Sequence, residues 1–192
     1  CSMVNKMPGY QVDKYANLRV GYTYMFGHCG KKLLFMGQDF GQEREWSEAR
    51  ELDWYLLSEP LNRGMKEYVG ELLRLYRDNP CMYEIDNAWP GFEWMNADDK
   101  DHSVYTFIRK NKNNRNHLLF IMNMTPMNWE KFRVGVPKKG TYKVILNSDD
   151  QRFGGNGNFV PQSFVAEEVE EAGKKYSIEF DLPPYTALVL KY

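Results

Sequence analysis

From about Cys81 to the end, the sequence is a succession of short apolar runs punctuated by turn residues. No other feature constrains the fold as tightly. The runs are Phe92–Asn96, Ser103–Lys110, His117–Met124, Lys131–Val136, Thr141–Leu146, Lys175–Asp181 and Thr186–Tyr192. Each is rich in β-branched and aromatic residues, and strands of this length and spacing predict an antiparallel β-sandwich. Asn113-Asn114 predicts a hairpin between the second and third runs, and Lys139-Gly140 one between the fourth and fifth. The glycine-rich stretch Phe153–Phe159 reads as a loop, since it follows no βα turn and lacks the lysine of a phosphate cradle.

Residues 1–80 read differently. Pro8-Gly9 marks a turn, Asp13 is placed to cap a helix, and Tyr15, Leu18, Tyr22, Met25 and Phe26 recur at helical spacing. This predicts a helix over Lys14–His28, with Gly27 and Gly30 at its end. The continuous apolar run Leu33–Met36 then fits a strand buried on both faces. A second helix is predicted over Pro60–Arg77, with Leu61, Met65, Tyr68, Leu72 and Leu75 on one stripe and Asn79-Pro80 ending it. Helix, buried strand, polar loop and helix make a piece of a β/α unit. One such strand cannot close a sheet, so its neighbours are expected upstream. The opening on Cys1 rather than methionine fits the same expectation of a segment of something longer.

Composition narrows the function. At 43% hydrophobic, 27% charged and 15% aromatic, the chain belongs among folded proteins. A net charge of −1, with basic runs only at Arg109–Lys112 and Pro137–Lys139, argues against a nucleic-acid partner. No apolar run approaches the roughly 20 residues that span a bilayer, so no membrane partner is expected. Cys1, Cys29 and Cys81 suggest neither a disulfide framework nor a zinc spacing, which makes a reducing cytoplasm the expected setting. His102 and His117 lack a second ligand at metal spacing and read as ordinary surface or edge histidines, so no metal and no cofactor are expected. Oligomeric state is not legible.

Several strings resemble one family: Ser2–Gly9, Tyr15–Arg19, Gly30–Gly37, Gln42-Glu43-Arg44-Glu45-Trp46, Leu52-Asp53-Trp54 and the closing Leu182–Leu190. The family is the bacterial glycogen branching enzymes of the α-amylase superfamily, and the resemblance runs over nearly the whole chain. It implies that residues 1–80 are the last part of a (β/α)8 barrel, with Leu33–Met36 as the eighth strand. Residues 81–192 would be the C-terminal β-sandwich domain. It implies retaining transglycosylation, in which a carboxylate nucleophile attacks an α-1,4-glucan and a second carboxyl protonates the leaving oxygen. A glucan 6-hydroxyl then opens the glucosyl-enzyme to make an α-1,6 branch. The family's three catalytic carboxylates fall upstream of the position matching Ser2, so no catalytic residue is expected here. The expected partner is an α-glucan, glycogen or a linear α-1,4 chain. Two alternatives stay open: a non-catalytic glucan-binding or structural module, and part of a related debranching hydrolase.

The resemblance places Gln38, Asp39, Glu43, Arg44 and Trp46 just beyond the eighth strand, on the face where barrel enzymes keep their chemistry. They are the candidate substrate-binding residues. Trp46 could stack on a glucose ring while Glu43 or Arg44 holds hydroxyls. Equally, the loop could fold on itself through Arg–Glu pairs with Trp46 as its anchor. Asp39 stands where the family commonly carries Glu, and Cys29 where it commonly carries Pro. Trp54 is expected in the core. Trp89, Trp94 and Trp129 are read as packing between sheets or against the barrel, or else as marks of a remote glucan site.

Overall fold

The run Leu118–Asn123 has no polar residue until its last position, which suits a strand covered on both faces. In the computed structural model, which describes residues 1–192, that is its setting. Eight strands form: β1 (Phe92–Asn96), β2 (Val104–Arg109), β3 (Leu118–Asn123), β4 (Trp129–Val136), β5 (Thr141–Asn147), β6 (Ser163–Val165), β7 (Tyr176–Leu182) and β8 (Ala187–Lys191). Six make one antiparallel sheet in the order β1-β2-β3-β8-β5-β6, and β4 and β7 make a second.

The six-stranded sheet is a central layer. Phe107, Leu118, Phe120, Met122, Ala187 and Val189 face two helices, α1 (Gln11–Gly27) and α2 (Pro60–Asp78). The alternate residues Val104, Ile108, Leu119, Ile121, Leu188 and Leu190 face Val134, Val136, Ile178, Phe180 and Leu182 of the two-stranded sheet. The period of two along each strand thus feeds two cores at once.

Both helices bury the stripe expected of them, α2 through Met65, Tyr68, Val69, Leu72 and Leu75. Pro60 opens α2 at its first position, where its missing N–H is no loss. Asp13 is not the cap of α1. It lies one turn in, and its carboxylate accepts from the Tyr10 backbone N–H at 3.1 Å. Gly27 ends α1 for reasons of space. A β-carbon there would lie 2.7 Å from the Phe120 ring and 2.9 Å from Phe107, so its absence lets the helix end touch the sheet.

Two buried arginines tie the helical layer to the strands. Arg19, on the apolar face of α1, donates to the carbonyls of Ser148 (2.7 Å) and Phe153 (3.0 Å). Arg109, which opens a short basic run in the sequence, is fully buried. It donates to the Gly27 carbonyl (2.7 Å), the Met82 carbonyl (2.9 Å) and Asp86 (2.8 Å).

Three expectations need correction. Leu33–Met36 forms no strand: the segment pairs with nothing, ends in a turn with Met36 in left-handed conformation (φ +39°), and leaves Leu33 75% exposed. The chain holds no barrel sheet, so an apolar strand sequence has no ladder to join. Lys139-Gly140 does make a turn, with Gly140 at φ +147°, but not a hairpin. The chain crosses there from the two-stranded to the six-stranded sheet, because Val136 and Tyr142 enter the same core from opposite sides. His117 is a buried residue, held to Asn114 at 2.9 Å.

Candidate functional site

The segment after Met36 turns sharply on two glycines in left-handed conformation, Gly37 (φ +83°) and Gly41 (φ +68°). Between them Gln38–Phe40 form one 3-10 turn whose Phe40 is fully buried. Side chains from both helices fix the turn's carbonyls. Tyr22 Oη donates to Gln38 O (2.8 Å), Tyr15 Oη to Gly41 O (3.2 Å), and Asn62 Nδ2 to Phe40 O (2.9 Å) and Gly41 O (3.1 Å). Burial pushes both phenols above the ordinary tyrosine range, helped by Glu43 at Tyr15 and by Asp39 at Tyr22. Both therefore stay protonated donors.

The loop that follows is clasped at its base. Buried Gln42 accepts from the Asp53 backbone N–H (2.8 Å) and donates to the Arg44 carbonyl (3.1 Å). Arg44 then grips the Asp53 carboxylate with two donors, Nε at 2.7 Å and a terminal nitrogen on the other oxygen. Asp53 is 4% exposed, and its hydrogen bonds with the guanidinium hold its carboxyl below the usual range. The sequence offers little signal for this pair beyond opposite charges nine positions apart.

Of the candidate residues, Gln38, Arg44 and Trp46 meet in one hollow, with Ser2 and Phe35 beside them. Trp46 packs against Phe35, ring centroids 5.2 Å apart and near perpendicular. The other two lie apart. Asp39 is ion-paired with Lys66 at 3.1 Å, and Glu43 accepts from Gln11 at 3.1 Å beside a hollow lined by Asn5 and Lys14. The loop does fold on itself, but through Arg44–Asp53 and Phe35 rather than Arg–Glu pairs.

As it stands, the hollow shared by Gln38, Arg44 and Trp46 has about 10 Å³ of free space, about one water's worth. Its single carboxylate is Glu45, whereas glycosyl transfer through a covalent intermediate needs a pair. The geometry can hold and orient a ligand at an edge. It does not itself assemble a catalytic pair.

Elsewhere, Trp94 packs on Phe92, Phe107 and His28 at the end of α1. Trp54, expected in the core, is half exposed over Phe40, and Trp89 is 89% exposed. No three His, Cys, Asp or Glu side chains gather as a metal-binding group, and no helix is long and apolar enough to cross a membrane.

Over all 192 residues the chain is 64% identical to the 1,4-alpha-glucan branching enzyme GlgB of Butyrivibrio fibrisolvens, of which it covers 30%. It is 40% identical to the enzyme of the same name from Geobacillus stearothermophilus, over 99% of this chain and 30% of that protein. The chain thus spans under a third of the length of these curated relatives. Among solved structures, the isomaltulose synthase SmuA of Protaminobacter rubrum shares the fold at a TM-score of 0.54 and 12% identity, over 92% of this chain and 38% of that one. Residues 94–192, which hold seven of the eight strands entire, match the family described as the alpha amylase C-terminal all-beta domain, and the chain belongs to that family.

Proposed function

We propose that the whole protein is a 1,4-α-glucan branching enzyme and that this chain is its C-terminal part. The observation that carries the reading is the 64% identity to such an enzyme along the full 192 residues. In this reading residues 1–80 complete a (β/α)8 barrel with Leu33–Met36 as its eighth strand, and residues 81–192 form the C-terminal domain. The exposed, unpaired Leu33 and Phe35 support it, since they offer an apolar strand edge that neighbouring barrel strands would cover. The three free thiols suit a reducing cytoplasm.

The chain contributes positioning to the chemistry. Gln38, Arg44 and Trp46 would line the glucan cleft on a loop that the Arg44–Asp53 clasp holds in place. Asp39 and Glu43 would support its rim. The carboxylates that cleave and transfer the glucan are assigned to the rest of the barrel, so residues 1–192 alone should be inactive. The test is the longer protein incubated with a linear α-1,4-glucan, its products read by the anomeric proton spectrum. Branching predicts new α-1,6 signals. Shorter linear products alone would overturn the reading in favour of a hydrolase.

A further inference from the structure

The shortest strand of the six-stranded sheet, β6, covers little of its neighbour. It pairs with β5 only at Thr141–Lys143, with one further bond from the Val144 N–H to the Gln162 carbonyl (2.9 Å). Beyond that point no strand lies beside β5, and the gap between it and the chain leading into β6 is a groove. Its volume is about 780 Å³, within the range of small-molecule sites. One wall is the open edge of β5, Val144–Asn147. The other is Gly157–Gln162, and Asp150–Arg152 complete the lining.

The second wall grows out of the glycine-rich stretch Phe153–Phe159, and a buried carboxylate shapes it. Asp149 is 2% exposed and accepts from the backbone N–H groups of Asn156 (2.8 Å) and Asn158 (2.9 Å) and from Asn158 Nδ2 (2.9 Å). Gly155 passes so close that a β-carbon there would lie 2.2 Å from the Asp149 carbonyl oxygen, and Gly157, at φ +70°, leaves room for Gln151 against it. With the bonds from Arg19 to the Ser148 and Phe153 carbonyls, these contacts fix the loop before any ligand arrives. On it Phe159 stands 84% exposed. Single exposed rings are ordinary on protein surfaces. This one shares its groove with the partly exposed Ile145 and Pro161 and with amides that have no partner in the protein. Those are the side chains of Gln151 and Gln162, together with Nδ2 of Asn147, whose Oδ1 accepts from the Asp149 N–H.

The charges narrow the ligand class. Asp150 and Arg152 are the only charged residues of the lining, one of each sign, and they lie 3.5 Å apart. The groove therefore favours a neutral ligand. An amide presents a donor and an acceptor together, as a hydroxyl does, and an exposed phenyl ring offers a flat apolar surface. A sugar chain, neutral and rich in hydroxyls with apolar ring faces, matches both. An extended peptide added at the β5 edge would need evenly spaced backbone groups, and β5 bulges there between Val144 and Leu146.

We propose that this groove binds a segment of an α-glucan chain, with Phe159 against the face of a sugar ring and Asn147, Gln151 and Gln162 on its hydroxyls. The choice of glucan among sugars rests on the branching-enzyme reading; the geometry of the groove stands without it. The test titrates the longer protein with maltoheptaose and reads amide hydrogen exchange. The glucan should slow exchange over Ile145–Gln162. Phe159→Ala, which removes an exposed ring, should raise the concentration that half-protects this segment about threefold to tenfold. Phe159→Tyr, which keeps a flat ring, should restore it. Any response of the cleft loop Gln42–Trp46 should be the same in Phe159→Ala as in the unaltered protein. No slowing over Ile145–Gln162 overturns the site and leaves the open β5 edge to a peptide strand. An unchanged midpoint in Phe159→Ala also overturns it, as does an equal loss at both segments, which would mean that the ring acts through the fold. Neither result touches the branching reading, which falls instead if linear glucan yields no α-1,6 product.

Discussion

The strand sequences Leu33–Met36 and Leu118–Asn123 are alike in apolarity and opposite in fate. The second is paired on both sides and covered on both faces. The first has no ladder, and Leu33, Phe35 and Met36 are exposed. The contrast extends to the two regions. Residues 81–192 contain every strand that their strands pair with, whereas residues 1–80 contain helices that found a sheet to lie on and a strand that did not. What makes a strand is its partner as much as its sequence, because an unpaired backbone gains no ladder hydrogen bond to offset its lost entropy.

The seam between the regions is the place to break this contrast hardest. Arg109→Ala removes a fully buried cation that joins Gly27, Met82 and Asp86. Removing one partner from such a buried arrangement costs about 3–5 kcal/mol, which urea unfolding would read directly. A loss under about 1 kcal/mol would mean that Arg109 is not a principal tie and that Arg19 and apolar packing join the halves.

Leu33→Ser sharpens the contrast. In this chain the residue is 75% exposed, so the substitution should change stability by less than about 0.5 kcal/mol. In the longer protein, where barrel strands would cover it, the loss should be about 1.5–3 kcal/mol. Equal effects in the two forms would remove the barrel assignment.

The smallest effect is local. The Asp53 carboxyl is held below its ordinary pKa by Arg44, so the clasp contributes fully above about pH 4 and is lost as pH falls through the lowered value. Proteolytic nicking between residues 42 and 53 should therefore rise only in acid. In Asp53→Asn it should already be raised at neutral pH and vary little with acidity. Nicking that follows the same pH profile in both forms would show that Gln42 holds the loop without the ion pair.

Much of the fold was legible because period and turn chemistry are local. Seven of the eight strands and both helices fall where their patterns place them. β6 escaped because three residues are too few to show a period. The crossing at Lys139-Gly140 escaped because a turn specifies a reversal and not which sheet the chain joins next. The candidate site was half legible. Gln38, Arg44 and Trp46 converge, whereas Asp39 is engaged by Lys66 and Glu43 by Gln11. The clasp and the buried Arg19 and Arg109 were hidden, since a charged residue looks the same in sequence whether water or a carbonyl satisfies it. A hint was present at Arg19, which sits inside the apolar stripe between Leu18 and Tyr22.

Amide hydrogen exchange over Lys32–Leu34 tests the central contrast most directly, measured in this chain and in the longer protein. The account predicts near-unprotected exchange in the chain alone, where these amides have no ladder, and strong protection in the longer protein, matching Leu118–Asn123. Rapid exchange in both forms would contradict it, leaving Leu33–Met36 a surface segment and not the eighth strand of a barrel.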